Sequence, residues 1–184
     1  MDDLLLRNLK TLPAFRGLLR AVEARFYTDL DLPPPALDLG CGDGHFASMA
    51  FDRKLEVGVD PWWMSLKEAP AYNAYHLLAQ ANGDGLPFPS GYFASAVSNS
   101  VLEHIPNLKP VLAELARVLK PGAPFYFCSP SDHFLEFLSV SAAFRKFKIP
   151  GPGEAYQRFF NRISRHYHCD SPATWGGRLG AAGF

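Results

Sequence analysis

Residues 36–44 read Ala36-Leu37-Asp38-Leu39-Gly40-Cys41-Gly42-Asp43-Gly44, a short apolar strand running into three glycines at alternate positions. Sixteen residues beyond Gly44, a second apolar run, Val57-Gly58-Val59, ends in an acid, Asp60. Glycine at every second position lets the backbone adopt positive φ and approach a ligand closely, while Asp38 puts a carboxylate beside whatever the loop holds. Strand, glycine loop and acid-ended second strand together describe a nucleoside-binding site. A dinucleotide fingerprint needs Gly-x-Gly-x-x-Gly, whose last glycine packs the helix and whose helix N-terminus meets pyrophosphate. Here the spacing is Gly40, Gly42, Gly44 with His45 next. That disfavours a dinucleotide and, with it, nicotinamide-dependent reduction.

Outward from this loop, Pro33-Pro34-Pro35 ends any helix and feeds an extended chain into the strand 36–39. Further strands are read at 55–59, about 76–80, 94–98 and 124–128, with helices near 44–51, 64–69 and 109–119. Strands alternating with helices imply right-handed crossovers and a largely parallel sheet covered on both faces. Ahead of the first strand, Phe15, Leu18, Leu19, Val22 and Phe26 fall at helical spacing within 14–27, so this apolar face is expected to pack on the domain. Between 131 and 170, eight aromatic residues alternate with Arg145, Lys146, Lys148, Arg158, Arg162 and Arg165. Ile149-Pro150-Gly151-Pro152-Gly153 reads as a break between two helices there. Ser171-Pro172 then starts a last helix, with Trp175 and Leu179 on one face and Gly183 at its stop.

Composition narrows the function classes. The 184 residues are 48% hydrophobic and 20% charged, enough for one globular domain with a sizeable core. Eighteen basic and eighteen acidic side chains cancel, so the summed field gives no general attraction to nucleic acid. Cys41, Cys128 and Cys169 are odd in number and widely spaced, which fits reduced thiols in a cytoplasmic protein rather than a disulfide framework. The start, Met1-Asp2-Asp3, has no basic region before an apolar stretch, and no run approaches the roughly 18 apolar residues that span a bilayer.

Five blocks in register carry a resemblance: the glycine loop; Val57 to Asp60; Asn82-Gly83-Asp84-Gly85-Leu86-Pro87-Phe88-Pro89; Ser98-Asn99-Ser100-Val101-Leu102-Glu103-His104-Ile105; and Ala116 to Gly122. In order and spacing, about residues 36–128 resemble the class I S-adenosylmethionine-dependent methyltransferases, especially the branch acting on quinones and other small metabolites. The resemblance implies an α/β, Rossmann-like, doubly wound and mostly parallel sheet, with S-adenosyl-L-methionine as cofactor and S-adenosyl-L-homocysteine as product. It divides the single domain 1–184 into an N-terminal helical segment, 1–30, a cofactor-binding core, 36–128, and a lid or acceptor insert, 131–170. The family's strand order is 3-2-1-4-5-7-6. The last two strands do not follow Phe184, so the chain is expected to be a truncated form of a longer protein. The apolar edge at 124–128 is then expected to be covered by 131–170 or by a second copy, a homodimer through 124–170.

By the same resemblance, the loop of Gly40, Cys41, Gly42 and Gly44 holds the methionine part of the cofactor, with Asp38 compensating its ammonium group. Asp60 accepts both ribose hydroxyls, since one carboxylate offers two acceptor oxygens. Pro61 and Trp62 lie toward the adenine; Trp62 or Trp63 covers its face while the other packs in the core or lid. Asn82 and Gly83 meet the adenine edge, with Asp84 able to take over if the loop register slips; many family members have Asp where Asn82 stands. Asn99 touches the ammonium group and the acceptor. His104 is read either as the general base for a hydroxyl or amine acceptor, imidazole being the side chain that titrates near neutrality, or as a hydrogen-bonded loop histidine. His166, His168, Cys169 and Asp170 are contiguous rather than assembled from separate elements and have no partner pair at finger spacing, so no metal is expected. The reading is methyl transfer to a small, apolar or amphipathic acceptor, with no nucleic-acid partner. The alternative is a noncatalytic S-adenosylmethionine-binding module or regulatory subunit, which a clogged acceptor pocket would favour.

Overall fold

The computed structural model describes residues 3–147 and 150–184; Lys148 and Ile149, read above as a cation and part of a helix break, lie outside them, as do Met1 and Asp2. Five strands, β1 (Ala36–Leu39), β2 (Leu55–Asp60), β3 (Tyr75–Gln80), β4 (Ser95–Asn99) and β5 (Phe125–Cys128), form one parallel sheet in the order β3-β2-β1-β4-β5. This matches the first five places of the expected order. β1 is buried at all four positions and is hydrogen-bonded on both sides, with Leu37 opposite Val57 and Ala96.

Helices cover both faces, as parallel crossovers require. On one, α5 (Leu108–Val118) buries Leu108, Val111, Leu112, Leu115 and Val118, a 3–4 spacing that makes one apolar stripe. Against it lies α8 (Pro172–Ala182), whose Trp175 ring sits 4.9 Å from that of Phe127. The Ser171 hydroxyl accepts from the Thr174 amide and Gly183 closes the helix in the left-handed region, both as expected. On the other face lie α2 (Ala14–Tyr27), α3 (His45–Ala50) and α4 (Trp63–Glu68), with Ala24, Tyr27, Ala47, Ala50 and Leu66 buried over the strands.

Three expectations need correction. α2 turns its Phe15, Leu18, Leu19, Val22 and Phe26 outward and buries Gly17, Ala21, Ala24 and Tyr27. Small residues let the helix backbone come close: a Cβ on Gly17 would stand 3.3 Å from the Asn8 backbone of α1 (Leu4–Thr11), a helix the sequence reading did not find. Second, two helices do part here, one ending at Lys146 and α7 (Pro150–Ser164) beginning at Pro150, but Pro150-Gly151-Pro152-Gly153 belongs to the first turn of α7, where proline's fixed φ suits a helix start. α7 packs on α6 (Ser139–Lys146). Third, the 131–170 segment does not pair with β5. Among the described residues no strand meets the outer side of β5, and α8 covers one face of it, with the Phe125 and Phe184 rings 5.6 Å apart.

Beneath the glycine loop, the Tyr75 hydroxyl of β3 donates to the Asp38 carboxylate of β1 across 2.6 Å, both groups buried. Burial pushes the Asp38 carboxyl up to about 7; the Tyr75 hydrogen bond opposes this and the Asp60 charge adds to it. A raised folded value means that protonated Asp38 favours the fold. Its contribution is fully present below the unfolded value of about 3.9 and is lost as pH rises through about 7.

Two outcomes follow for stability. In urea, Phe93→Ala, at a fully buried ring, should cost about 3–5 kcal/mol. Phe15→Ala, at a ring 71% exposed, should stay within about 0.5 kcal/mol, and equal losses would mean α2 packs the other way round. Asp38→Asn keeps an oxygen for Tyr75 and removes the titration. From pH 4 to 8 the parent should lose stability relative to this variant by on the order of 1–4 kcal/mol, whereas parallel pH profiles would place an ordinary carboxyl there.

Candidate active site

At the carboxyl ends of β1, β2 and β4 the chain encloses a cavity of about 820 Å³, at the point where the strand order reverses around β1, the usual ligand position in open α/β sheets. Its floor is the glycine loop. Gly40, Gly42 and Gly44 all have positive φ, and at Gly40 a Cβ would meet the Val101 side chain at 2.4 Å, so only glycine fits. The Gly40 and Cys41 amides both donate to the Val59 carbonyl, at 2.8 and 3.0 Å. Next, the Gly42 amide donates to Asp60 Oδ2 at 2.9 Å, while Trp62 N donates to Oδ1 at 2.8 Å. Each Asp60 oxygen thus holds one backbone donor and keeps a second lone pair for a ligand.

Of the residues singled out from the sequence, Gly40, Cys41, Gly42, Asp60, Pro61, Asn82, Gly83, Asp84, Asn99 and His104 line the cavity. Three do not. Asp38 lies under the loop, engaged by Tyr75, so its carboxylate supports the floor instead of facing a ligand. Gly44 caps α3 in the left-handed region, and a Cβ there would stand 3.2 Å from the Tyr75 ring. Trp62 points to solvent, 66% exposed, and Trp63 is 57% exposed, so neither tryptophan packs in the core; only the Trp62 amide reaches the site, through Asp60. Gly83 is needed for space, because a Cβ would come within 2.9 Å of Val111.

The mouth holds side chains that were not singled out from the sequence. Leu12, Arg16 and Arg20 of the N-terminal segment line the cavity, whereas no described residue of 131–170 does. The cover assigned above to 131–170 is supplied by the N-terminal helices, and the Thr11 hydroxyl meets His45 Nε2 at 2.9 Å to tie α1 to the loop. Glu23 of α2, 5% exposed, takes Asn99 Nδ2 at 2.8 Å and Arg20 at 2.6 Å on one oxygen and the Ser100 hydroxyl at 3.0 Å on the other. This clamp leaves Asn99 Oδ1 buried with no donor among the described residues. The one signal for Glu23 was a carboxylate on the small-residue face of an amphipathic helix.

Past β4, His104 Nδ1 meets the Arg165 carbonyl at 3.3 Å, so Nδ1 is the donor there, and Nε2 lies 3.9 Å from Glu103 Oε1. Burial raises the Glu103 carboxyl above the ordinary range. His168 and Asp170, grouped above with His166, turn away from it: His168 Nε2 meets the Ile105 carbonyl at 2.9 Å and Asp170 pairs with Arg178 at 2.9 Å.

Residues 37–127 match the family model of the methyltransferase domain. An uncharacterized methyltransferase of Mycobacterium sp. strain JLS is 37% identical over 87 residues, covering 47% of this chain and 34% of the relative. A second, from Mycolicibacterium gilvum, is 35% identical over 89 residues, covering 47% of this chain and 35% of the relative. The chain thus spans about a third of the length of these curated relatives. Among solved structures, an S-adenosylmethionine-dependent methyltransferase from Thermotoga maritima superposes with a TM-score of 0.67 at 18% identity, over 90% of this chain and 70% of that one. Phosphoethanolamine N-methyltransferase 2 of Haemonchus contortus, solved with S-adenosyl-L-methionine, gives 0.61 at 18% identity, over 91% and 36%. At these identities the structural likeness speaks for the fold, and the 37–127 match speaks for the family. Residues 37–127 thus match the methyltransferase-domain family, and the fold around them is that of the S-adenosylmethionine-dependent methyltransferases.

Proposed function

We propose that the chain binds S-adenosyl-L-methionine in this cavity and catalyses methyl transfer to a small, apolar or amphipathic acceptor. The observation that carries the reading is the glycine floor, pinned to Asp60, in one cavity with Asn99, whose buried Oδ1 has no donor among the described residues. The residues fit the cofactor chemically: two Asp60 lone pairs suit a ribose diol, the Asn99 carbonyl suits an ammonium group, and Asn82 with Gly83 offers polar edges and space for a purine. When bound, the cofactor supplies the electrophilic methyl group on its sulfonium. What remains for the protein is alignment and exclusion of water. The Gly40–Gly42 backbone and Asn99 fix the donor end, Leu12 with Arg16 and Arg20 of α2 flanks the mouth, and His104 Nε2 takes the proton of a hydroxyl or amine acceptor.

The cavity extends past the loop to His104, Ile105 and Pro106, so room for an acceptor exists, and this argues against a binding-only module. Cys41, Cys128 and Cys169 are free thiols and no described helix is long and apolar enough to cross a membrane. Both are compatible with work in a reducing, cytoplasmic compartment.

The test is incubation with S-adenosyl-L-methionine and metabolite pools, scored by release of S-adenosyl-L-homocysteine; absence of release with every pool, despite cofactor binding, would support the binding module instead. Asp60→Ala should weaken S-adenosyl-L-methionine binding by about 1.5–3 kcal/mol in calorimetry, because charged hydrogen bonds to the ligand and the anchor of Gly42 are lost. Unchanged affinity in a folded variant would remove Asp60 from the site. With a hydroxyl or amine acceptor, His104→Ala should lower turnover by roughly 100-fold or more at nearly unchanged cofactor affinity, and parental turnover across pH 6 to 9 would assign alignment alone as the mechanism.

A further inference from the structure

We propose that Glu103, His104 and His166 form a binding site for a first-row divalent cation of the zinc type at the acceptor end of the cavity. The three residues are brought together from separate segments. Glu103 and His104 follow β4, whereas His166 comes from the turn after α7, and one ligand atom from each lies within 4.8 Å of the other two. The sequence run His166 to Asp170 could not disclose this, since Glu103 and His104 lie far earlier in the chain; within the run, Cys169 Sγ lies 4.0 Å from His166 Nδ1.

Two observations point to a ligand. Glu103 is 2% exposed and its Oε2 is buried with no hydrogen-bond partner among the described residues. A buried carboxylate oxygen without a donor is costly unless a cation or a donor reaches it. In addition, His104 is held as metal-binding imidazoles are held: its Nδ1–H donates to a backbone carbonyl, that of Arg165, and its Nε2 lies 3.9 Å from Glu103 Oε1. Arg165 adopts a left-handed backbone, φ 51°, to present that carbonyl.

The neighbouring backbone repeats the grip. Tyr167 N donates to the Glu103 carbonyl at 2.7 Å and His168 Nε2 meets the Ile105 carbonyl at 2.9 Å, so 165–168 is fastened along 103–105 on either side of the cluster. The Phe134 and Phe160 rings, each 6.0 Å from the His166 ring, flank that imidazole. Bonds of about 2.0–2.2 Å put tetrahedral donors roughly 3.4 Å apart, so a shift of about 1 Å, mainly of the half-exposed His104 ring, closes the set.

Two neutral imidazoles and one carboxylate select a borderline ion over magnesium or calcium, which prefer all-oxygen shells. Three protein ligands leave a coordination position open. Of the three, His104 lines the cavity; on the cavity side of that ring, a hydroxyl or carboxylate of the acceptor is the chemistry that completes the open position. In this state the Nε2 lone pair is committed to the ion, whereas in the metal-free protein it is the free base described above. Binding of the ion itself does not depend on the methyl-transfer reading; only the role of the open position rests on it.

The full chain, stripped with a chelator, is titrated with Co²⁺ as a spectroscopic probe and then with Zn²⁺. The expected result is a saturable visible absorption band at one Co²⁺ per chain, displaced by Zn²⁺, with Glu103→Gln and His166→Ala each weakening Co²⁺ binding at least about 100-fold. Absence of a saturable band in the parent, or parental affinity in both variants, would overturn the proposal. Should Glu103→Gln fail to fold, His166→Ala and His104→Ala decide the question, both being at rings outside the core. Calorimetry with S-adenosyl-L-methionine on the same samples, referenced to buffer without it, separates the two readings. A Co²⁺ band without cofactor heat retains the metal site and sinks the methyl-transfer reading; cofactor heat without a band does the reverse.

Discussion

Successive amides of a positive-φ turn, Gly40, Cys41 and Gly42, all donate to the end of β2, to the Val59 carbonyl and the Asp60 carboxylate. That arrangement is the constraint on which the site depends. It converts a flexible glycine run into a fixed floor, and it can form only because β1 and β2 are adjacent and parallel, so that both strands end at the same level. Asp60 occupies a double position. One lone pair of each oxygen is consumed in holding the backbone, which orients the remaining pair on each toward the cavity without relying on a mobile side chain.

A second constraint works from the opposite side. Glu23 reaches from α2 across to Asn99 and Ser100, so α2 is coupled to the tip of β4 by charge-assisted hydrogen bonds in addition to the apolar contacts of Ala24 and Tyr27. This explains why α2 can leave its large apolar residues outside: small residues bring the backbone near and a buried carboxylate secures it. The result is a cavity whose floor is held by hydrogen bonds to the end of β2 and whose α2 side is held by hydrogen bonds to the end of β4. His104 and its neighbours are held in turn by the backbone of 165–168.

Much of this was legible in the sequence, and the divide is physical. Strand positions, the glycine floor, α5 and α8 with its Ser171 and Gly183 termini depend on local pattern, and β-strand residues such as Leu37 and Val59 are apolar because both sheet faces are covered. By contrast, the facing of α2 depends on what lies beneath it. A stripe of Phe15, Leu18, Val22 and Phe26 announces an amphipathic helix, but periodicity alone does not say that Gly17 and Ala21 are the face another backbone needs. Asp38 looked like a ligand residue because it precedes the loop, and the Tyr75 hydroxyl that engages it lies 37 residues away. Likewise Glu23 is 76 residues from Asn99, and His166 is brought to Glu103 only by the path of the chain after β5. Such contacts between distant residues leave no local trace.

The central claim is that the pinned glycine floor and Asp60 hold the nucleoside and amino-acid ends of one cofactor. A crystal structure of the chain with S-adenosyl-L-homocysteine tests it most directly. The account predicts ligand density in the cavity, with the ribose hydroxyls on the free lone pairs of Asp60, the amino group within hydrogen-bond distance of Asn99 Oδ1, and the purine beside Asn82 and Gly83. Ligand density elsewhere on the molecule, or in the cavity with neither Asp60 nor Asn99 in contact, would contradict it.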